Sequence, residues 1–256
     1  MKEVIAGLPS AAGVYFFYDE NERLIYVGKS INIRKRVQQH FTGKDRKSVK
    51  IQLFTKRIAF EMMGSELISL LYESDLIKKY QPIYNRSQRR TIYQYGLYLK
   101  EINGYKALVI DKIATDKEEV TSFSTLKEAK TALFHITDNY QLCQKINGLY
   151  KSSSSCFQYH IKECNGACIG EESTDKYNVR VDEFLSKITI QKFTRLFEVP
   201  GRTKEEIGLV YIENGVYKGF GFCANTTQSD LKLTFIEPFQ DNKGVRRILI
   251  RYLVRE

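Results

Sequence analysis

Apolar and aromatic residues form two short runs near the start of the chain. Val, Ile, Tyr and Phe dominate residues 13–18 and 23–28, and the polar residues 19–22 separate them. Two β-type runs joined by a short polar break predict a β-hairpin. A similar run predicts a third strand at 57–62.

A short helix is predicted directly after the hairpin. Ile33 and Val37 are four residues apart, as expected for the buried side of a helix. Ser30 is a suitable N-cap, and the helix is expected to end near Gln39. The densely charged residues 44–50 are predicted to be a loop.

A longer helix follows the third strand. It is predicted to begin at Gly64-Ser65, to end near Tyr80 before Pro82, and to carry an apolar stripe of leucines. The stripe consists of Leu67, Leu70 and Leu71. Three strands with flanking helices predict a small α+β domain over residues 1–90.

The remaining pattern predicts a mixed α/β region. Residues 91–140 contain a hairpin turning at Asn103-Gly104, then a strand at 120–123 and a helix capped by Ser124. A cysteine-rich region is assigned to 141–172. The C-terminal region, 173–256, is predicted to contain a helix at 176–196, an exposed loop at 200–206, a second Asn-Gly hairpin and a basic helix at 242–254.

The length of 256 residues and a hydrophobic fraction of 43% are sufficient for packed cores. No apolar run approaches the roughly 18 residues that a membrane span requires. The N-terminus, with Glu3 and few apolar residues before Pro9, is a poor signal peptide. The expectation is a cytoplasmic protein without a membrane partner.

The net charge of +10 is concentrated in the first part of the chain. Residues 1–100 contain 18 Lys and Arg against 9 Asp and Glu, whereas residues 101–256 contain 22 against 21. A one-sided excess of this kind favours a polyanion partner such as nucleic acid. A charged surface that serves only solubility is the alternative.

Several candidate catalytic residues follow one another in a fixed order. Gly13-Val14-Tyr15 occupies the first strand and Ile25-Tyr26-Val27-Gly28-Lys29 the second, followed by a basic helix with Arg36. Glu73 lies on the longer helix, and Asn85 closes the set. This order resembles the GIY-YIG nuclease family, and most closely the N-terminal domain of excinuclease C from the excinuclease ABC system.

The resemblance implies how these residues would hydrolyse a phosphodiester. Glu73 would hold a single divalent ion, Mg²⁺ or Mn²⁺, since both prefer hard oxygen ligands. Tyr26 would be the general base, Lys29 would supply positive charge that favours its phenolate, and Tyr15 would position water. Without the resemblance, a solvated helical Glu and packed strand tyrosines would be the ordinary interpretation.

Further roles are implied for polar residues outside the strands. Arg36 would bind the scissile phosphate, and Asn85 would orient the site through hydrogen bonds. His40 stands where excinuclease C proteins often have Tyr, and proton transfer is a candidate role. A group of basic side chains is predicted to contact DNA: Arg34, Lys35, Arg36, Arg86, Arg89 and Arg90.

A nucleotide-binding P-loop is excluded. Gly28-Lys29-Ser30 matches the end of that motif, but the required glycine five residues earlier is replaced by Arg23.

Four of the five cysteines fall within 26 residues and are candidate metal ligands: Cys143, Cys156, Cys164 and Cys168. Four thiolates suit either a structural zinc ion or an iron–sulfur centre. A third interpretation is that the cysteines are free and the site is vestigial. The stretch also resembles the cysteine region of excinuclease C, which implies a 4Fe–4S cluster. Cys223 is expected to be a buried, small hydrophobic residue.

The resulting hypothesis is a metal-dependent DNA endonuclease, a phosphodiester hydrolase, in nucleotide excision repair or a related pathway. A catalytically idle DNA-binding module and a redox or structural role for the cysteines are the alternatives. Expected partners are DNA and other excision-repair subunits. The arrangement also resembles proteins that join a DNA polymerase III epsilon-type exonuclease to a GIY-YIG module, so an exonuclease domain on a longer chain is a further expectation.

Overall fold

A computed structural model describes residues 1–85, 93–113, 119–188 and 194–254. The chain divides into two compact units, each built from two separate stretches. Unit 1 comprises Met1–Arg90 and Gln191–Ile248, and unit 2 comprises Thr91–Ile190 and Leu249–Glu256. The predicted C-terminal region, 173–256, is therefore shared between the two units.

The first described stretch contains α1 (Lys2–Ala6), β1 (Gly13–Tyr18), β2 (Leu24–Ser30), α2 (Ile33–Thr42), α3 (Arg46–Phe54), β3 (Arg57–Met62) and α4 (Glu66–Tyr80). The middle stretches contain β4 (Tyr95–Ile102), β5 (Tyr105–Lys112), β6 (Thr121–Phe123), α5 (Leu126–Asn139), α6 (Phe157–His160) and α7 (Thr174–Ile188). The last contains β7 (Arg195–Pro200), β8 (Glu206–Glu213), β9 (Val216–Ala224), β10 (Ile236–Pro238) and α8 (Lys243–Leu253).

The N-terminal strands form an antiparallel sheet in the order β2-β1-β3, which confirms the predicted α+β class. Tyr15 is paired with Gly28 and Phe17 with Tyr26. Paired residues share a face of a sheet, so these aromatic rings lie on one side of it. Ile33 and Val37 of α2 bury this face.

Two local predictions in this region were wrong. Asn32, not Ser30, caps α2 by accepting a hydrogen bond from Lys35 N at 2.9 Å, because Ser30 is still in β2. Residues 46–54 form α3 rather than a charged loop. Asp45 caps α3 by accepting hydrogen bonds from the backbone amides of Lys47 and Ser48, and the buried Ile51 anchors it.

Helix α4 begins and ends as predicted. Ser65 caps it by accepting a hydrogen bond from Ile68 N at 3.3 Å, and Gln81 ends it with φ of +48°. Leu67 and Leu71 are buried, whereas Leu70 of the predicted stripe is only half-buried.

A second antiparallel sheet in unit 1 has the order β10-β9-β8-β7 and packs against α4. The Tyr72 ring of α4 is 5.8 Å from the Phe220 ring, centroid to centroid, and 6.2 Å from the Phe239 ring. The predicted helix 176–196 extends too far, because α7 reaches Ile188 and Arg195–Pro200 is instead β7, held by its pairing with β8. The Asn214-Gly215 hairpin is confirmed.

Unit 2 contains a sheet in the order β5-β4-β6. The predicted turn is confirmed, since Asn103 and Gly104 have positive φ values of 51° and 82°. Thr125, not Ser124, caps α5 by accepting a hydrogen bond from Glu128 N at 3.2 Å. None of the helices in the described part of the chain is long and apolar enough to cross a membrane.

Candidate functional site

Three aromatic side chains meet on the covered face of the β1–β2 hairpin. The hydroxyl of Tyr15 and Nε2 of His40 are 2.8 Å apart. The Tyr26 ring lies 5.9 Å from the Tyr15 ring and 5.2 Å from the His40 ring, centroid to centroid. Tyr15 is fully buried, and Tyr26 and His40 nearly so. The sheet register and α2 therefore bring these three predicted residues into direct contact.

Gly28 leaves the space that the Tyr15 hydroxyl occupies. A Cβ at this position would lie 2.4 Å from the Tyr15 hydroxyl oxygen and 2.9 Å from a carbon of the Tyr26 ring. Only glycine avoids this overlap, so the Gly of the second strand motif is required by packing against Tyr15.

Glu73 lies at the edge of the same sheet. Its carboxylate projects from α4 and is buried, with 7% of the residue exposed. Oε1 accepts a hydrogen bond from the backbone amide of Lys29 at 3.0 Å. The negative charge of Glu73 acts on both Tyr15 and Tyr26. The strand backbone thus fixes an anionic oxygen ligand beside the tyrosines, and this donor chemistry fits Mg²⁺ or Mn²⁺.

Lys29 does not face Tyr26, contrary to the expectation from the resemblance. Its ammonium group pairs with the carboxylate of Glu66, the first residue of α4. Successive side chains of a strand point to opposite faces, so Tyr26 and Lys29, three residues apart, cannot project to the same side. Lys29 is therefore held against α4.

Asn85 forms two hydrogen bonds to β2. Its side-chain oxygen accepts from Val27 N at 2.9 Å, and its amide group donates to Val27 O at 2.7 Å. The side chain is fully buried. Because Val27 lies between Tyr26 and Gly28, this contact fixes the strand at the point where the site is built.

The predicted basic residues have different environments. Arg36 is exposed and donates to Gln39 at 3.0 Å, but its charge acts on the tyrosines and on His40, so it lies at the mouth of the site. Arg34 donates from Nε to Leu8 O at 2.6 Å, which is a structural contact, and Lys35 is exposed. The remaining three predicted DNA contacts, Arg86, Arg89 and Arg90, lie outside the described residues.

The protein environment opposes ionisation of both tyrosines. Burial, with a further contribution from the Glu73 carboxylate, raises the pKa of Tyr26 to about 12. Burial also raises the pKa of Tyr15 well above its ordinary value. The side chains alone therefore do not favour a Tyr26 phenolate, and the expected help from Lys29 is absent because that ammonium pairs with Glu66.

His40 is held in the neutral form. Burial lowers its pKa to about 4, and the positive charges of Arg36 and Lys47 add to this effect. The neutral imidazole keeps a lone pair that can accept a hydrogen bond from the Tyr15 hydroxyl, but a pKa of about 4 makes it a weak base at neutral pH.

This shift predicts a pH dependence of stability. His40 binds a proton more weakly in the folded than in the unfolded chain. Its environment therefore leaves the free energy of unfolding unchanged above about pH 6.5 and lowers it as the pH falls toward about 4. Arg36, Lys47, Asp45 and Tyr15 are the polar groups that face it. We expect His40→Gln to lose stability less steeply across this window.

The measurement is denaturant unfolding at several pH values, with His135→Gln as the control. His135 is exposed on α5, so its replacement should leave the profile unchanged. Identical slopes for the two variants would contradict the predicted effect of His40.

Lys47 is a residue of this site that the sequence interpretation missed. Its ammonium nitrogen lies 4.3 Å from the centroid of the Tyr26 ring. It was missed because 44–50 was predicted to be a loop. The sequence does contain a signal for this helix. Asp45 is a typical N-cap residue, and the apolar residues Val49 and Ile51 follow it within the next two turns.

The cysteines form a cluster in unit 2. The sulfur atoms of Cys143, Cys156 and Cys168 all lie within 4.8 Å of one another, and those of Cys143 and Cys156 are 3.8 Å apart. Cys164 is buried beside Cys143, which lowers the pKa of the Cys164 thiol by hydrogen bonding. The fifth cysteine, Cys223, is buried in β9 of unit 1.

This sulfur spacing fits metal binding. Four thiolates about 2.3 Å from a tetrahedral ion lie about 3.8 Å apart, which is the zinc geometry. Asn147 fixes the backbone at Cys143 to α7. Its side-chain amide donates hydrogen bonds to Cys143 O and to the Tyr177 hydroxyl, both at 2.8 Å.

Comparison with known proteins assigns two segments of this chain to families. Residues 11–86 match the model of the UvrC-like GIY-YIG domain, and residues 95–187 match that of the UvrC/Cho excinuclease middle domain. The chain thus contains a GIY-YIG domain of the UvrC type followed by a UvrC middle domain, and it is homologous to excinuclease Cho and to UvrABC system protein C.

The relatives give the extent of this similarity. Excinuclease Cho of Escherichia coli is 32% identical over 195 residues, which cover 74% of this chain and 65% of Cho. UvrABC system protein C of Christiangramia forsetii is 32% identical over 188 residues, covering 68% of this chain and 31% of that protein. The chain thus spans less than two thirds of the length of Cho and about a third of the length of UvrABC system protein C.

A solved structure is also similar. It is the GIY-YIG N-terminal endonuclease domain of UvrC from Thermotoga maritima bound to its catalytic divalent cation, magnesium. It is 27% identical, covers 33% of this chain and 93% of that domain, and gives a TM-score of 0.31.

Proposed function

We propose that this chain is a metal-dependent DNA endonuclease that hydrolyses phosphodiester bonds in nucleotide excision repair or a related repair pathway. The observation that supports this most directly is the meeting of Tyr15, Tyr26, His40 and Glu73 beside two cationic side chains, Arg36 and Lys47. Its homology to proteins named excinuclease supports a nuclease function.

Each residue would have a distinct task. A divalent ion held by Glu73 would supply Lewis-acid stabilisation of the phosphate oxygens. Arg36, at the mouth of the site, would bind the scissile phosphate and stabilise the charge that grows on it. Asn85 would keep β2, and with it Tyr26, in position through its two hydrogen bonds to Val27.

The high pKa of Tyr26 calls for a proton path rather than a preformed phenolate. In the proposed path, Tyr26 takes a proton from the attacking water as its own proton passes to the Tyr15 oxygen, and the Tyr15 proton passes to His40 Nε2. The 2.8 Å contact between Tyr15 and His40 supplies the geometry for the last transfer, and the neutral imidazole has the free lone pair that the transfer requires.

The test is a nicking assay on undamaged, damaged and branched DNA duplexes, with Mg²⁺, with Mn²⁺ and with chelator. We expect strand breaks that require the divalent ion. DNA binding without cleavage under every condition would instead support the alternative of a catalytically idle DNA-binding module.

The proposed repair role also concerns partners. Other excision-repair subunits, or an exonuclease domain on a longer chain, are the candidates. A pull-down with purified UvrA- and UvrB-type proteins on damaged DNA would test the first, and failure to form a ternary complex would count against it.

We further propose that Cys143, Cys156, Cys164 and Cys168 bind a metal centre. The resemblance to excinuclease C favours a 4Fe–4S cluster, whereas the 3.8 Å spacing of the Cys143 and Cys156 sulfurs suits a single zinc ion. The centre would support the fold of unit 2, and a redox role is the alternative for an iron–sulfur centre.

Metal analysis after anaerobic purification distinguishes these options. A cluster should give a brown protein with iron and acid-labile sulfide in equal amounts, and zinc without iron would identify the mononuclear site.

We expect Cys143→Ser to lose the metal and to unfold more easily, because metal binding contributes to the free energy of folding. Cys223→Ser, which alters a buried cysteine outside the cluster, should retain it. Equal metal contents in the two variants would contradict this assignment.

A further inference from the structure

Lys47 occupies a position for which neither the sequence motifs nor the proposed mechanism assigns a role. It lies in the first turn of α3, where the Asp45 cap fixes the backbone. Its side chain is half-buried and extends toward β2, so that Nζ lies 4.3 Å from the centroid of the Tyr26 ring. This is within the range of a cation–π contact.

The two lysines near the site differ in what compensates their charge. The ammonium group of Lys29 pairs with Glu66. No carboxylate in the described part of the chain forms an ion pair with Lys47, whose nearest ring partner is Tyr26. Of these two lysines, Lys47 is therefore the one whose ammonium group can bind a ligand, although Lys29 is the lysine that belongs to the second strand motif.

The positive charge at this point is unfavourable without a ligand. Burial lowers the pKa of Lys47, and the nearby Arg36 guanidinium lowers it further, while Glu73 and Asp45 oppose the shift. Two positive side chains that act on each other beside buried tyrosines are suited to binding an anion. A divalent ion on Glu73 would increase the positive charge, so an anionic substrate would relieve the repulsion.

We propose that Lys47 is a further catalytic residue, whose ammonium group binds a non-bridging oxygen of the phosphodiester next to Tyr26. This inference rests on the nuclease function proposed above. The ammonium group would donate a hydrogen bond to an oxygen whose negative charge increases as water attacks. In the same position it would stabilise negative charge that develops on the Tyr26 oxygen during proton transfer.

The experiment compares Lys47→Met with Lys50→Met in single-turnover nicking and in DNA binding. Lys50 is exposed one turn further along the same helix and serves as a control for general contact with the DNA backbone. We expect Lys47→Met to reduce the cleavage rate about 10²–10³-fold, as for removal of one preorganised transition-state donor. Lys50→Met should change the rate by less than about threefold, as expected for a surface charge.

Two further measurements distinguish catalysis from structure. The melting temperatures and DNA affinities of both variants should stay close to those of the unmodified chain, which separates a rate effect from misfolding or weak binding. Lys47→Arg should recover part of the lost rate, because the charge is kept while its geometry changes.

The outcomes separate this inference from the function on which it rests. If the unmodified chain nicks DNA and Lys47→Met nicks as fast as Lys50→Met, the role of Lys47 is wrong and the nuclease function stands. If Lys47→Met loses rate only in proportion to melting temperature, and Lys47→Arg does not recover it, Lys47 is structural. If the unmodified chain is inert under every metal condition, both proposals fail.

Discussion

Replacing Glu73 by Gln should abolish most metal-dependent nicking. The amide oxygen can still accept the hydrogen bond from Lys29 N, so the local structure should persist. The neutral amide is, however, a poor ligand for Mg²⁺, which prefers carboxylate oxygens. We expect a fall in rate of at least about 10²–10³-fold, because the stabilisation of the phosphate charge would be lost.

The measurement has three parts. Nicking is followed with Mg²⁺ and with Mn²⁺, metal binding by calorimetry, and DNA binding by fluorescence anisotropy. The control is Glu20→Gln, which removes one negative charge from the exposed turn between β1 and β2. If Glu73→Gln binds metal and nicks DNA as well as Glu20→Gln does, Glu73 is not the metal ligand and the mechanism proposed here fails.

DNA affinity provides a separate prediction from the same experiment. Because Glu73 carries a negative charge, its neutralisation should leave binding intact or make it slightly tighter, while cleavage falls. Such a separation of binding from cleavage would distinguish the enzyme from an idle DNA-binding module, in which Glu73 has no chemical role. A salt titration should give a clearly negative slope of log affinity against log salt for both variants.

The geometry of the hairpin could largely be predicted from sequence. Tyr15 and Tyr26 lie in two apolar runs whose short polar connection predicts an antiparallel hairpin, although the exact pairing of Tyr15 with Gly28 needed the structure. Glu73 could be placed on a helix, and its place in one site with the tyrosines was implied by the family resemblance. Local pattern therefore determined most of the elements that form the pocket.

The pairing of charges could not be predicted in this way. Lys29 and Glu66 meet only because α4 packs beside β2, which is a contact across 37 positions of the chain. Lys47 reaches Tyr26 because α3 packs beside α2, and the dense charge of its helix concealed the apolar anchor Ile51. Such contacts depend on tertiary packing, which sequence periodicity does not specify.

The second sheet of unit 1 shows the same limit at larger scale. Its Asn214-Gly215 hairpin was predictable from local turn chemistry. Its packing against α4 through Tyr72 and Phe220 was not, because the two residues are far apart in sequence. The sequence analysis therefore placed this sheet in the C-terminal region, 173–256, although it packs against the helix that carries Glu73.

Gly28→Ala should both destabilise this domain and lower its nicking activity. The added methyl group would lie 2.4 Å from the Tyr15 hydroxyl oxygen, and Tyr15 is fully buried, so its ring has no free space to enter. Overpacking of this kind typically costs about 1–3 kcal/mol. A displacement of the hydroxyl by about 1 Å would in addition reduce nicking about 10²-fold.

The matched control is Gly7→Ala. A Cβ at Gly7 would meet nothing closer than 3.6 Å, and the residue has the right-handed φ of −77° that alanine adopts readily. Denaturant unfolding and nicking are measured for both variants, and Tyr15→Phe separates loss of the hydroxyl from displacement of the ring. If Gly28→Ala remains as stable and as active as Gly7→Ala, the Tyr15 hydroxyl does not occupy this space, and the proton path through Tyr15 to His40 has to be abandoned.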